Sequence, residues 1–337
     1  MVLAVMTACG GSKGVVGIST VPPPGVFDHY KLTGDVTFVH DPSIVRQGTT
    51  YYSFSTDPGA PTSAFLVMRC SSDHVQWKIC GQVFDQIPAW VKTQVPGVVN
   101  LWAPDISFFN GTYHLYYAGS TFGSNTSVIG LATNSTLDPS DPNYHWTDQG
   151  IVVESASSSD FNAIDPNILV DADQNVWLTY GSFWTGIKQR QIDPATGLPL
   201  SSNSTIYSLA TRPGVPFDPI EGASLVHRGS FYYLFVSFDF CCNADPAQSN
   251  YKIAVSRGAS PHGPFTDRAG IDMNLGGGTI LLQGNGTTWS APGGQTVFLD
   301  AQNGDLIVFH ALQLPQGAAY LFVNPLTWPN NWPAIQP

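Results

Sequence analysis

Charge is scarce in this 337-residue sequence: Asp, Glu, Lys and Arg make up 11% of residues, against roughly 25% in an average soluble chain. Lys and Arg together number 13 against 24 acidic residues, a formal net charge of −11, so there is no basic surface to follow a phosphate backbone and nucleic-acid binding is excluded as the default reading. No apolar run reaches the roughly 18 residues of a membrane-spanning helix. No stretch of ten or more residues keeps a 3.6-residue apolar period without Gly or Pro, which excludes helical bundles and coiled coils. The sequence also lacks a Gly-rich phosphate loop, a metal-protease helix motif, a Cys-His dyad and a G-x-S-x-G elbow. Of its five cysteines, none has zinc-site spacing.

Apolar side chains and turn formers are abundant. Hydrophobic residues are 43%, aromatics 12%, with 33 Gly and 26 Pro, enough core material and turns to exclude disorder. One pattern recurs: a small or acidic residue, an apolar strand, a Gly- or Asp-bearing turn, then an aromatic-rich strand. It reads HDPSIVRQGTTYYSFS from His40, APDISFFNGTYHLYYAG from Ala103, IDPNILVDADQNVWLTYGS from Ile164, IEGASLVHRGSFYYLFVS from Ile220 and PGGQTVFLDAQNGDLIVFH from Pro292. With Asp41, Asp105, Asp165, Glu221 and Gly293 as anchors, the spacings are 64, 60, 56 and 72 residues. Each copy opens on a hairpin signal such as Asn110-Gly111. Further β-like runs (SVIGLAT from Ser127, YKIAVSR from Tyr251) bring each unit to about four strands. Five such units predict an all-β fold, a five-bladed β-propeller with four-stranded blades, occupying residues 21–337 as one domain. A pair of β-sandwiches is the alternative, but it gives no reason for five similar units.

Residues 1–20 read separately. Met1–Ala8 is apolar, ends in small residues before Cys9, and is followed by Gly10-Gly11-Ser12. This resembles the end of a bacterial lipoprotein signal, without a basic n-region and with Met6 where Leu is usual. It predicts export to the exterior or cell envelope, with lipid on Cys9 as the only membrane attachment. Cys70 and Cys80 flank a turn-bearing segment and are candidates for a disulfide across a hairpin; Cys241 and Cys242 are adjacent, either a vicinal disulfide or two thiols.

First strands of propeller blades line the central channel, so matched positions in different blades converge. Asp41, Asp105, Asp165 and Glu221 stand at the blade starts. Acids before strands are ordinary turn formers, but several brought to one axis repel one another and need a reason to persist. Two convergent carboxylates suit glycoside hydrolysis, one protonating the departing sugar oxygen and one activating water, with a third tuning the acid. The rival chemistry for the same oxygens is Ca²⁺ or Mg²⁺ coordination.

The blade starts VHDPSIV, LWAPDISFFNGTYHLYYAGSTFGSN, FNAIDPNILV with YGSFW, and IEGASLV, together with FDFCC and the closing NPLTWPNNWP, resemble the endo-arabinanases of glycoside hydrolase family 43 over about residues 35–335. The resemblance implies a five-bladed propeller that makes internal cuts in α-1,5-linked L-arabinan or arabino-oligosaccharides with inversion. It implies Asp41 as general base, Asp165 as the group that tunes and orients the acid, and Glu221 as general acid. Sugar-contacting positions map onto Asp41, Gly123, Asn162, Ala163, Ile164, Asp165, Ser182, Phe183 and Trp184. Trp102, Phe122 and Trp184 are candidates to stack on furanose rings, against ordinary core packing. His310 matches a histidine that holds an axial Ca²⁺ or similar ion, mostly through water; as a lone His on an apolar strand it reads as a core residue. No organic cofactor is implied, and the expected form is a monomer. Two departures are visible: Gln295 in SAPGGQTV stands near the place of an expected His, and Asp105 belongs to the family pattern without being one of its three catalytic acids, a holder of the WAPD turn. The alternatives are an exo-acting arabinofuranosidase or β-xylosidase using the same acids, and a propeller that binds glycan without cutting it.

Overall fold

The computed structural model describes residues 32–57 and 65–336. The predicted export segment and Cys9 lie outside them. Five antiparallel sheets follow one another along the chain, each opening on one of the predicted repeats. Their inner strands are His40–Gln47, Leu101–Phe109, Asn167–Val170, Ile220–Arg228 and Trp289–Phe298, and each pairs with the aromatic-rich strand that follows it. Four blades have four strands. The first has a fifth, because Thr33–Gly34 adds in parallel to the outer edge of Gln76–Phe84.

The second strands carry little alternation because both faces are covered. Val176–Tyr180 (VWLTY) is buried at every position, and Phe231–Phe238 along most of its length. A blade stacks between two others, so its middle strands read as continuous apolar runs rather than as period-two stripes. Five of the core clusters among the described residues accordingly fill the five seams between neighbouring blades, and a smaller sixth gathers Tyr251, Ala291, Leu312 and Ala319. Val45, Phe54, Leu115 and Tyr117 fill the first seam, Tyr116, Leu131, Leu178 and Tyr180 the second, and Leu169, Leu209, Leu234 and Val236 the third. Phe235, Val255, Ile307 and Phe309 fill the fourth. Ile44, Trp77, Val308 and Leu321 fill the fifth, between the last blade and the first, and so close the ring. Each fully buried side chain of this kind contributes about 1.5–3 kcal/mol. Closure is reinforced by Leu321 N–H donating to Val36 O at 2.8 Å, and by Asp300, which pairs with Arg46 at 3.1 Å and accepts from the Tyr51 hydroxyl at 2.9 Å. Among the described residues, no helix is long and apolar enough to cross a membrane. The longest, Ala89–Gln94, is six residues and seats Val91 against Gly119, where a Cβ would collide with it.

The inner strands share a device that the acidic anchors only partly locate. Each starts at a residue in the left-handed region: Asp41 (φ 47°), Ala103 (43°), Asp165 (56°), Gly222 (59°) and Ala291 (51°). Four of the five precede proline. In register, therefore, Asp105 does not correspond to Asp41 and Asp165. It stands two residues further on, beside Ser43, Asn167, Ser224 and Gly293, and Glu221 stands one residue earlier. That inner set stitches the blades together. Ser43 Oγ accepts from Ile106 N–H (3.0 Å), Asp105 Oδ2 from Ile168 N–H (2.9 Å), Asn167 Oδ1 from Leu225 N–H (2.8 Å) and Ser224 Oγ from Val297 N–H (3.1 Å). The series stops at Gly293, which has no side chain, in a strand whose register shifts twice.

Candidate active site

The left-handed corners turn the chain at one end of the channel, beneath a cleft of about 1250 Å³ lined by residues of the blades and their connecting loops. Asp41, Asp165 and Glu221 all line it; Asp105 does not. Asp41 is held from two sides: Thr56 Oγ1–H donates to its Oδ2 at 3.0 Å, and its own N–H donates to His310 Nδ1 at 3.1 Å. Thr56 Oγ1 also accepts from Ala103 N–H of the next blade at 2.7 Å, so the carboxylate is fixed across a blade seam. The other oxygen, Oδ1, stands 3.7 Å from His310 Nδ1 and faces Gly294, where a Cβ would collide with both groups.

Glu221 Oε2 accepts a short hydrogen bond from Ser182 Oγ–H, leaving Oε1 for a proton. Asp165 Oδ2 accepts from Gly222 N–H at 3.0 Å, which pins the backbone just after Glu221. Gln295 secures the same backbone, donating from Nε2 to Gly222 O at 2.6 Å while accepting from Ser237 Oγ–H at 3.0 Å. The position where a His was expected thus holds an amide that joins the fourth and fifth blades.

Asp41 keeps 30% side-chain exposure, but at the bottom of the cleft the surrounding protein still desolvates it. Burial raises its pKa to about 6, against the Thr56 hydrogen bond. Glu221 is raised to about 7, first by burial and then by the Asp41 charge, with the Ser182 bond opposing. Asp165 is raised well above the usual carboxylate range by burial, then by Glu221 and then by Asp41. Three acids that hinder one another's ionisation within one cleft can hold a proton on one carboxyl while another is ionised, the division of labour that acid–base catalysis needs.

The family whose sequence profile matches residues 36–333 is described as glycosyl hydrolases family 43. The chain belongs to this family. It is 41% identical over 298 residues to the extracellular endo-alpha-(1->5)-L-arabinanase 1 of Bacillus subtilis, covering 88% of this chain and 87% of that one. It is 36% identical over 309 residues to the extracellular exo-alpha-(1->5)-L-arabinofuranosidase ArbA of Cellvibrio japonicus, covering 88% and 86%. Among solved structures, the family 43 endo-arabinanase from Bacillus licheniformis superposes with a TM-score of 0.80 at 41% identity, covering 90% of this chain and 99% of that one.

The other residues singled out in this family 43 sequence fall in three places. Trp102, Phe122, Gly123, Asn162, Ile164, Ser182, Phe183 and Trp184 line the cleft. Phe122 is 84% exposed, with its ring centroid 5.1 Å from that of Trp102. Asn162 is buried, its Oδ1 accepting from Ser127 Oγ–H at 2.7 Å. Ala163 is fully buried in the seam between the second and third blades, with Tyr116 and Tyr180. His310 is fully buried on the fifth blade. Its Nε2 has no hydrogen-bond partner among the described residues. Burial, then His40, holds its pKa well below the ordinary value. An orphaned, neutral imidazole nitrogen fits one ligand position of an ion. Its titratable neighbours are Asp41, whose Oδ1 is 3.7 Å from Nδ1, and His40, whose ring centroid is 4.5 Å away; His40 in turn belongs, with Cys241 and Cys242, to a cluster of three metal-capable groups. Cys70 and Cys80 are disulfide-bonded across their hairpin, Cα atoms 5.9 Å apart, and Cys241 is bonded to Cys242.

Sequence reasoning missed several cleft residues: His40, Thr56, Tyr251, Phe240 and the loop that carries the 78%-exposed Phe217. A lone Thr at a strand end carries no signal. Arg212-Pro213-Gly214 is visible as a turn, but not which way the turn faces.

Proposed function

We propose that this family 43 chain hydrolyses internal α-1,5 linkages of L-arabinan and its oligosaccharides by a single displacement that inverts the anomeric carbon. The observation that carries the reading is the convergence of Asp41, Asp165 and Glu221 in one cleft, each with one oxygen already committed. Asp41 Oδ1 takes the proton of the attacking water, since Thr56 occupies Oδ2. Glu221 gives its proton from Oε1 to the leaving oxygen, since Ser182 occupies Oε2. Asp165 orients the acid through Gly222 N–H and, by like-charge repulsion, keeps it protonated to higher pH. The rate falls below about pH 6 as Asp41 takes a proton, and above about pH 7 as Glu221 loses one.

Trp102, Phe122 and Trp184 present apolar faces to furanose rings, and Asn162, Gly123 and the Ser182–Trp184 turn line the path of the chain. His310, whose buried Nε2 has no hydrogen-bond partner among the described residues, would hold a Ca²⁺ or similar ion, mostly hydrated. The ion would supply positive charge beneath the carboxylates. The extracellular relatives support export, and Cys9 is the candidate lipid attachment.

The test is chromatography of the products from debranched linear arabinan, with Glu221→Ala alongside. Mixed oligosaccharides from the wild type and none from the variant support the reading. The similarity to an exo-acting relative keeps one alternative alive, and release of a single product would select it. No release from a folded wild-type chain would favour binding without cleavage.

A further inference from the structure

The adjacent cysteines at the cleft wall add nothing to stability through loop closure. A disulfide stabilises by closing a loop in the unfolded chain, and the gain grows with the residues enclosed. Cys70–Cys80 spans ten positions, whereas Cys241–Cys242 spans one and encloses nothing. The pair nonetheless sits against a third metal-capable group from a distant part of the chain. His40 Nδ1 is 3.9 Å from Cys242 Sγ, and the ligand atoms of His40, Cys241 and Cys242 all lie within 4.8 Å of one another. Tetrahedral zinc, with bonds of about 2.3 Å to sulfur and 2.0–2.1 Å to nitrogen, sets its donors roughly 3.5–3.8 Å apart; His40 Nδ1 and Cys242 Sγ are near that spacing already, and the two sulfurs reach it only once the bond between them is broken.

The backbone around the pair is held by contacts other than the S–S bond. Phe240 N–H donates to Asn250 Oδ1 (3.0 Å) and Phe240 O accepts from Asn250 N–H (2.8 Å). Asn243 N–H donates to Ser249 Oγ (2.9 Å), and Cys241 packs against Tyr251, Ala291 and Leu312. His40 is held in the inner strand of the first blade, paired opposite Thr56.

We propose that Cys241, Cys242 and His40 form a redox-gated site for a soft divalent cation such as zinc, closed while the disulfide stands and opened by a dithiol reductant. In the gating step the reductant's two thiols are oxidised to its own disulfide, and the protein's S–S bond is reduced to two cysteine thiols. The cation then displaces one proton from each thiol to solvent and takes the neutral imidazole as third ligand. Three protein ligands leave a fourth position for water on the cleft side, the open pattern of Cys₂His zinc sites. All three residues line the cleft with Asp41, so the ion stands where substrate would run.

The test counts metal and is independent of the hydrolytic reading. The full chain is treated with dithiothreitol, desalted without oxygen, titrated for free thiols, equilibrated with zinc and desalted again. The expected result is four additional thiols, from the two disulfides, and one zinc per chain that the oxidised chain does not bind. The reduced Cys70→Ser/Cys80→Ser variant keeps that zinc, and reduced Cys241→Ser/Cys242→Ser loses it. The milder Cys242→Ser, at an exposed position, and His40→Gln each weaken binding at least about tenfold, a loss that even an outer-sphere partner can cause. Equal zinc before and after reduction, unchanged affinity in folded Cys242→Ser, failure of the adjacent pair to reduce, or no zinc on the reduced chain would each overturn the proposal.

Discussion

Asp105 and Asp165 are the same residue type, open successive blades and are both deeply desolvated, yet they are put to different uses by a register difference of two residues. Asp165 is itself the left-handed corner, and its carboxyl faces the cleft with Glu221 and Asp41. Asp105 lies two residues past its corner, Ala103, inside the seam between the second and third blades. There Ile168 N–H and Asn167 Nδ2–H both donate to it, at 2.9 and 3.0 Å. Burial raises Asp105 to about 7 despite those bonds, so a raised pKa does not separate the two. What separates them is partners: Asp105 is matched by donors, and Asp165 is set against other acids. A buried carboxylate among donors holds the fold together, and one among carboxylates is kept for chemistry at a cost in stability.

The largest effect should fall on turnover. Glu221→Ala or Asp41→Ala lowers kcat on linear arabinan by about 10²–10⁴-fold, the usual contribution of a positioned acid or base. Asp105→Asn leaves the kcat of the folded enzyme within a few-fold. Steady-state rates on samples matched for folded fraction check this, and a loss at Asp105 comparable to that at Glu221 would erase the distinction between seam and cleft.

Stability should reverse the order. In Asp105→Asn an amide NH₂ meets one of the two donors, Ile168 N–H or Asn167 Nδ2–H, which costs about 1–3 kcal/mol in urea unfolding. Asp165→Asn removes one of three acids that hinder one another's ionisation and keeps an acceptor for Gly222 N–H, so the variant unfolds at a urea concentration equal to or above that of the wild type. A loss of stability at Asp165 matching that at Asp105 would mean that both acids are structural.

The propeller was legible because a blade's strands are local in sequence: hairpin signals, apolar runs and aromatic-rich partners recur within each unit, and five of them fill the chain. The family resemblance made the three cleft acids legible as well. The register was read less well. Anchoring on acids aligned Asp105 with Asp41, whereas the signal shared by four blades is the residue before Pro42, Pro104, Pro166 and Pro292, with Gly222 in the fifth case. Side chains supplied by loops, such as Phe217 and Phe240, stayed illegible because sequence spacing does not say which way a turn leans. The short edge strand Thr33–Gly34 was missed for a similar reason: two residues carry no period.

The smallest effect is the finest test of what Asp165 does. Coulombic repulsion is reciprocal: Glu221 raises Asp165, and a charged Asp165 in turn makes Glu221 harder to ionise. Asp165→Asn removes that charge but keeps a side chain able to accept from Gly222 N–H. Glu221 then loses its proton more easily, its pKa falls from about 7, and the alkaline limb of the kcat profile moves to lower pH by about 0.5–1 unit. The acid limb, set by Asp41, moves the same way by less, because Asp41 interacts with Asp165 more weakly than Glu221 does. Asp105→Asn moves neither limb, since its carboxyl is matched by seam donors and stands outside the cleft. Profiles of the two Asn variants measured side by side therefore separate tuning from scaffolding: an alkaline limb that stays in place in Asp165→Asn would leave that residue an orienting role alone.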